Sequence, residues 1–195
     1  MKQKSPQKVG VSGLDSLKLA PDATVWLTYS FAPDWYNDCK AEAESSDHNA
    51  RRREILFAVT CAESYIVEWV RDSVLSPDFS EIKSYFPGGG QRGVRRKYKE
   101  VTKALAKDGR ILAALDCGGQ EWHQFCQLVS YRDGLVHASA SRPETSGLAH
   151  NEVPVPSKSD LDAYPPGQAV QVLRTLLKKL HVDTGTLEPE WLNNG

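Results

Sequence analysis

The chain has 195 residues, 40% of them apolar, enough for one domain with its own core and too few for two full ones. Its 24 basic and 25 acidic residues leave a formal net charge of -1, so no global excess points to nucleic acid or a membrane surface. No stretch approaches the roughly 20 apolar residues of a membrane span, and the lysines of MKQKSPQKVG have no apolar run behind them, which predicts a soluble, cytoplasmic protein.

Residues 1 to about 33 are punctuated by Pro, Gly and Ser around one strand-like run, TVWLTYSF, from Thr24 to Phe31. From Asp34 to Ser76 there is neither proline nor glycine, and Ile55, Val59, Ala62, Ile66, Trp69 and Val70 recur at three- and four-residue steps. That periodicity predicts a long amphipathic helix, with Asp47 as its N-cap or a start nearer Asp34. A short helical turn is predicted around Phe79 to Phe86. After the tract PGGGQRG, Val94, Tyr98, Val101 and Leu105 keep helical spacing up to Gly109, a residue suited to a C-terminal cap. A third helix is predicted from about Gln120 to Ala140, with Trp122, Phe125, Val129 and Val136 among its apolar positions. Residues 141 to 164 read as a long exposed connection. The last helix starts near Pro166, carries Val170, Leu173, Leu176, Leu177 and Leu180, and ends near Gly185.

Four helices with one apolar face each can satisfy one another as a bundle, so the expected fold is mainly all-α. The expected organisation is an N-terminal extension over residues 1–46, containing the one short strand, a helical domain over 47–185 and a tail over 186–195.

Several stretches carry chemical potential. Cys39, Cys61, Cys117 and Cys126 are widely spaced and contain no CxxC pair, which argues for reduced thiols rather than a disulfide framework. Cys117, His123 and Cys126 are zinc-ligand types close in sequence. They lack the paired short spacings and the fourth ligand of a zinc site, so no metal and no cofactor is expected. GGGQRG, Gly88 to Gly93, matches GxGxxG but follows a helical turn and has no βαβ unit around it, so a dinucleotide site lacks its context. Glycines ahead of a helix N-terminus can still leave backbone N–H groups for a phosphate.

Directly after the glycines come Arg92, Arg95, Arg96, Lys97, Lys99, Lys103 and Lys107, and Arg51, Arg52 and Arg53 make a second basic run. Each run alone suits a solvated helix face. Gathered on one side they would form a surface that tracks phosphates, with Arg51, Arg52, Arg92, Arg95, Arg96, Lys97 and Lys99 as its contacts.

The stretch SYRDGLVHAS, Ser130 to Ser139, places Arg132, Asp133 and His137 in an otherwise apolar helical run. At about 100° per residue Asp133 and His137 share a face, whereas Arg132 and His137 are about 140° apart. A local surface pair is the plain alternative, but Leu128, Val129, Leu135 and Val136 imply burial around the trio. Histidine can move protons at neutral pH, and an arginine fork matches two phosphate oxygens. A carboxylate beside them can orient either. These are parts for cleaving a phosphodiester through the 2′-OH that RNA alone supplies.

Arg132-Asp133-Gly134-Leu135-Val136-His137 resembles the R-x4-6-H motif of HEPN-domain proteins, in which the residue after the arginine is typically Asn, Asp or His. The arrangement from Asp47 to Val182, with the early helix REILFAVTCAESYIVEWV and the motif on a later helix, is similar as well. The resemblance implies a HEPN-like four-helix bundle and a homodimer with two motifs facing across a cleft. It implies a metal-independent endoribonuclease with His137 as acid–base residue, Arg132 on the phosphate and Asp133 positioning both. It also implies toxin–antitoxin, phage-defence or RNA-processing roles, with RNA as substrate and a nucleotidyltransferase-like or other antitoxin partner. Ser139 stands where some toxin members place a tyrosine two residues after the histidine. Two other readings remain open: a non-catalytic HEPN-like module that binds RNA, nucleotide or protein, and a helical interaction protein in which the trio is structural.

Overall fold

A computed structural model describes residues 30–74, 84–86, 93–137 and 163–193, with Ser73, Val74 and His137 described by their backbone alone. Residues 24–29 of the strand candidate, the glycine tract with Arg92, and most of the 141–164 connection lie outside the described residues. The described chain is predominantly α-helical and contains no strand. Its helices are α1 (Ala32–Glu44), α2 (Ala50–Trp69, continued by a π-helical turn over Val70–Val74), α3 (Val94–Lys107), α4 (Gln120–His137), α5 (Gln168–Thr184) and the short α6 (Glu190–Asn193). No helix among the described residues is long and apolar enough to cross a membrane.

Helix α2 lies at the centre, packed by α1, α3, α4 and α5. Its composition dictates this place, because Ile55, Ala58, Val59, Cys61, Ala62, Tyr65, Ile66 and Trp69 are all buried and together cover more than one stripe of the helix. The other helices present narrower faces to it: Val94, Tyr98, Val101 and Leu105 from α3, Trp122, Phe125, Leu128 and Val129 from α4, and Leu173, Leu176, Leu177 and Leu180 from α5. Each large aliphatic or aromatic side chain so buried contributes about 1.5–3 kcal/mol. Val136, expected inside, is instead half exposed at the last turn of α4.

Both proposed domain boundaries are overrun by the core. Ala32, Tyr36 and Cys39 of α1, within the expected extension, are fully buried against α2. Leu192 and Trp191, within the expected tail, reach the same core, with the Trp191 ring 5.1 Å from Tyr36 and 5.5 Å from Tyr65. The expected strand ends in Phe31, which has helical φ and ψ as the residue before α1. Asp47 is not the N-cap of α2; Asn49 holds that position, and Asp47 accepts the Asn49 N–H at 2.8 Å in the turn ahead of it. Two helix ends fall as the glycines predict. Gly109 (φ 70°) closes α3, its N–H bonding the Ala106 carbonyl and the next N–H that of Leu105, while Gly185 (φ 69°) closes α5.

Two buried carboxylates on α2 tie the bundle together. Neither α1 nor α5 has a side-chain cap of its own, and tertiary contacts take over. Glu68 accepts the N–H groups of Phe31 (2.7 Å) and Ala32 (3.2 Å) and the Ser30 hydroxyl. Glu54 accepts those of Ala169 (3.0 Å) and Gly167 (3.3 Å) and pairs with Arg51. Carboxylates there also complement the positive ends of both helix dipoles. The Glu54 contacts place the start of α5 beside the start of α2. Tyr164, just ahead of α5, packs its ring 5.1 Å from Tyr131 on α4. The motif-bearing end of α4 therefore lies at the same end of the bundle.

Candidate functional site

Helix α4 carries Arg132 and Asp133 near its C-terminal end, with His137 as its last residue. Asp133 sits between two guanidinium groups. Arg132 Nε is 3.1 Å from Asp133 Oδ1, and Arg95 Nη2, arriving from α3, is 4.0 Å from Oδ2. Arg95 is fixed further by a 2.8 Å hydrogen bond from Nη2 to the Ser130 hydroxyl. That hydroxyl donates its own proton to the Cys126 carbonyl at 3.2 Å, which turns its oxygen toward Arg95 as an acceptor.

All three charged side chains are partly open to solvent, Arg95 at 34%, Arg132 at 25% and Asp133 at 45%. The Nε–H groups of Arg95 and Arg132 are nonetheless buried and have no hydrogen-bond partner among the described residues. The 3.1 Å approach of Arg132 to Asp133 is thus an ion pair without hydrogen-bond alignment. Two cations around one carboxylate leave a local surplus of one positive charge and spare donors, a combination that favours an anionic ligand. Val136, between the arginine and the histidine in sequence, contributes an exposed apolar side chain to the same end. On the Tyr131 side, a shallow pocket of about 230 Å³ is lined by Gln124, Gln127, Gln168, Tyr131 and Tyr164, among others, amide and aromatic groups able to meet a nucleobase.

The expected phosphate-tracking residues divide. Arg95 joins the motif, while Arg96 is exposed and pairs with Glu100, and Lys99 is exposed. Lys97 turns inward to Glu63 of α2 at 3.2 Å and is mostly buried. Arg51 does not belong to a tracking surface. Its guanidinium pairs with Glu54 and donates to the carbonyls of Glu42 (2.6 Å), Ala43 (3.1 Å) and Ser45 (3.1 Å), closing the C-terminal end of α1. Arg52 is half-buried, and Arg53 forks onto Glu42 at 2.8 Å. Arg92 lies outside the described residues.

Ser130 is the residue that sequence reasoning missed; it lies seven positions before His137, nearly on the same helical face, which is the signal that could have found it. His123 is exposed, and among the described residues no group of three or more His, Cys, Asp or Glu is arranged to hold a metal ion. Burial pushes the Cys117 and Cys126 thiols up, away from the thiolate form. Cys39 and Cys61 are deeply buried thiols facing the carbonyls of Glu54 and Ala32, and their pKa values rise for the same reason. His181 of α5 is also buried. Its Nε2 lies 2.6 Å from the Tyr65 hydroxyl and its Nδ1 2.8 Å from that of Thr186, and burial lowers its pKa, so it is a neutral core residue at physiological pH. No protein-family model, no curated protein and no solved structure matches the chain.

Proposed function

We propose that the chain is a HEPN-like, metal-independent endoribonuclease that works as a homodimer, with Arg132, Asp133 and His137 of each copy at a shared cleft. The observation that carries this reading is the R-x4-H motif at the partly open end of α4, with Asp133 set between two incompletely satisfied guanidinium groups. In the reaction, His137 removes the proton of a ribose 2′-OH, whose oxygen attacks the adjacent phosphorus. Arg132 stabilises the charge that builds on the phosphoryl oxygens. The bond to the 5′-oxygen breaks, that oxygen takes a proton from a general acid, and the products are a 2′,3′-cyclic phosphate and a 5′-hydroxyl. Asp133 holds the Arg132 side chain in place. An antitoxin, including a nucleotidyltransferase-like one, and a toxin, phage-defence or RNA-processing role belong to this reading through the resemblance.

The test is incubation of the purified protein with mixed single-stranded and structured RNA in excess EDTA, beside a folded His137→Ala variant. Cleavage by the wild type with a loss of ~100-fold or more in the variant is expected. Equal cleavage by both proteins would remove His137 from the chemistry. A second reading, RNA binding without cleavage, is favoured by the exposed Lys99, Lys103 and Lys107 along α3. It predicts intact RNA with both proteins and undiminished binding by His137→Ala.

A further inference from the structure

The motif's own arginine is not the cation on the histidine's face of α4. At about 100° per residue, Ser130, Asp133 and His137 fall within about 60° of one another, whereas Arg132 is about 140° from His137. The guanidinium that lies over this face comes from α3. It is that of Arg95, bonded to Ser130 and 4.0 Å from Asp133. Helix packing explains how it arrives there: Val94 and Tyr98 are fully buried, and Tyr98 donates its hydroxyl to the Ala62 carbonyl of α2 at 3.0 Å. This fixes the first turn of α3 and carries Arg95 alongside α4.

We infer that Arg95 is a phosphate-binding residue of the motif site, closing with Arg132 on one phosphodiester of single-stranded RNA. The inference rests on the proposed RNA reading of the motif and deepens it. Two guanidinium charges and one carboxylate leave +1, which a single phosphodiester neutralises. Both side chains stay partly open to solvent, Arg95 at 34% and Arg132 at 25%, and the accessible part of each planar fork is what a phosphate oxygen can meet. Asp133 then keeps the two like-charged forks together in the absence of ligand, and Ser130 sets the orientation of the Arg95 plane. Arg95 is thereby separated from Arg96 and Lys99, which lie open on α3 and can only attract the backbone at large.

The experiment uses the full chain and a single-stranded RNA with every 2′-OH methylated, so that in-line cleavage cannot occur. Binding is followed by fluorescence anisotropy across a salt series in EDTA. For Arg95→Gln we expect affinity to fall about tenfold and the salt slope to shrink by roughly one counterion. Arg95→Lys, which keeps the charge and loses the planar fork, should recover less than half of that loss on the logarithmic scale. Ser130→Ala, which keeps Arg95 and removes only its support, should cost about threefold with the salt slope unchanged, and provides the reading should Arg95→Gln fail to fold. Affinity of Arg95→Gln within twofold of wild type, full recovery by Arg95→Lys, wild-type affinity in Ser130→Ala, or no binding by the wild type would each overturn the assignment. Unmodified RNA separates this result from the nuclease proposal. Arg95-dependent binding without cleavage keeps the clamp and loses the nuclease, whereas cleavage that Arg95→Gln leaves unchanged keeps the nuclease and loses the clamp.

Discussion

Arg51 with Glu54, and Arg95 with Arg132 and Asp133, are two groups of charged side chains at one end of the same bundle, and they differ in how fully their hydrogen bonding is used. Arg51 reaches Glu54 and three carbonyls of the α1 terminus, while Glu54 also receives two N–H groups from the start of α5. In the second group a single carboxylate serves two cations, one at 3.1 Å and one at 4.0 Å, and two guanidinium N–H groups are left without acceptors among the described residues. Donors already met by the fold hold helices together and offer nothing to a ligand. The second group keeps part of its guanidinium surface open to solvent, and that part is available for binding.

The sharpest way to break this comparison is to remove Glu54. Glu54→Ala leaves Arg51 buried without its counter-charge and opens the α5 N-terminus, and a loss of about 3 kcal/mol or more is expected in urea unfolding. Glu68→Ala opens the α1 N-terminus without stranding a cation, so about 2 kcal/mol is expected. If Glu54→Ala unfolds no more easily than the wild type, the structural role given to the first group is wrong.

The difference between the two groups was only half legible in the sequence. The spacing of Ile55, Val59, Ala62, Ile66 and Trp69 marks α2 because burial on a helix leaves a period, and all of them are buried. The same signal marks α3 and α5. Arg51, Arg52 and Arg53 look alike as letters, and nothing local tells that the first closes α1 while the third forks onto Glu42; that depends on how the α1–α2 turn folds back. Helix α1 is hard to tell from an extension although Ala32, Tyr36 and Cys39 have helical spacing, since three apolar positions among many charges make a weak stripe. Trp191 and Leu192 sit on a helix of one turn, too short to show a period. At the candidate site the R-x4-H spacing was visible and the arrival of Arg95 was not, because Arg95 and Ser130 lie 35 residues apart. Contacts across that distance depend on the packing of α3 against α4, which no local pattern records.

His181 sharpens the comparison from the acid side. Burial lowers its folded-state pKa, with Glu188 opposing, while the unfolded chain takes up its proton near 6.5. Below that pH the unfolded state binds more protons, so stability present at pH 7 falls as the solution is acidified toward the folded pKa. The slope from this one group is at most about 1.4 kcal/mol per pH unit. His181→Gln should be less stable at pH 7, through its lost contacts with Tyr65 and Thr186, yet should lack this part of the acid loss. Urea midpoints between pH 7 and pH 5 measure both. A parallel decline in the two proteins would place the acid sensitivity elsewhere.

The smallest expected change in stability is the most informative about function. Arg132→Gln removes a guanidinium whose ion pair to Asp133 is misaligned for a hydrogen bond and open to solvent screening. The fold should lose under about 0.5 kcal/mol, and relief of crowding between two like charges around Asp133 offsets part of even that. Cleavage and RNA binding, measured on the same preparation, should fall by at least tenfold if that guanidinium faces phosphate. A protein that keeps its unfolding midpoint while losing RNA affinity puts Arg132 with the ligand. One that loses several kcal/mol instead shows that Arg132 belongs with Arg51 among the residues that hold the bundle together, and the contrast between the two groups disappears.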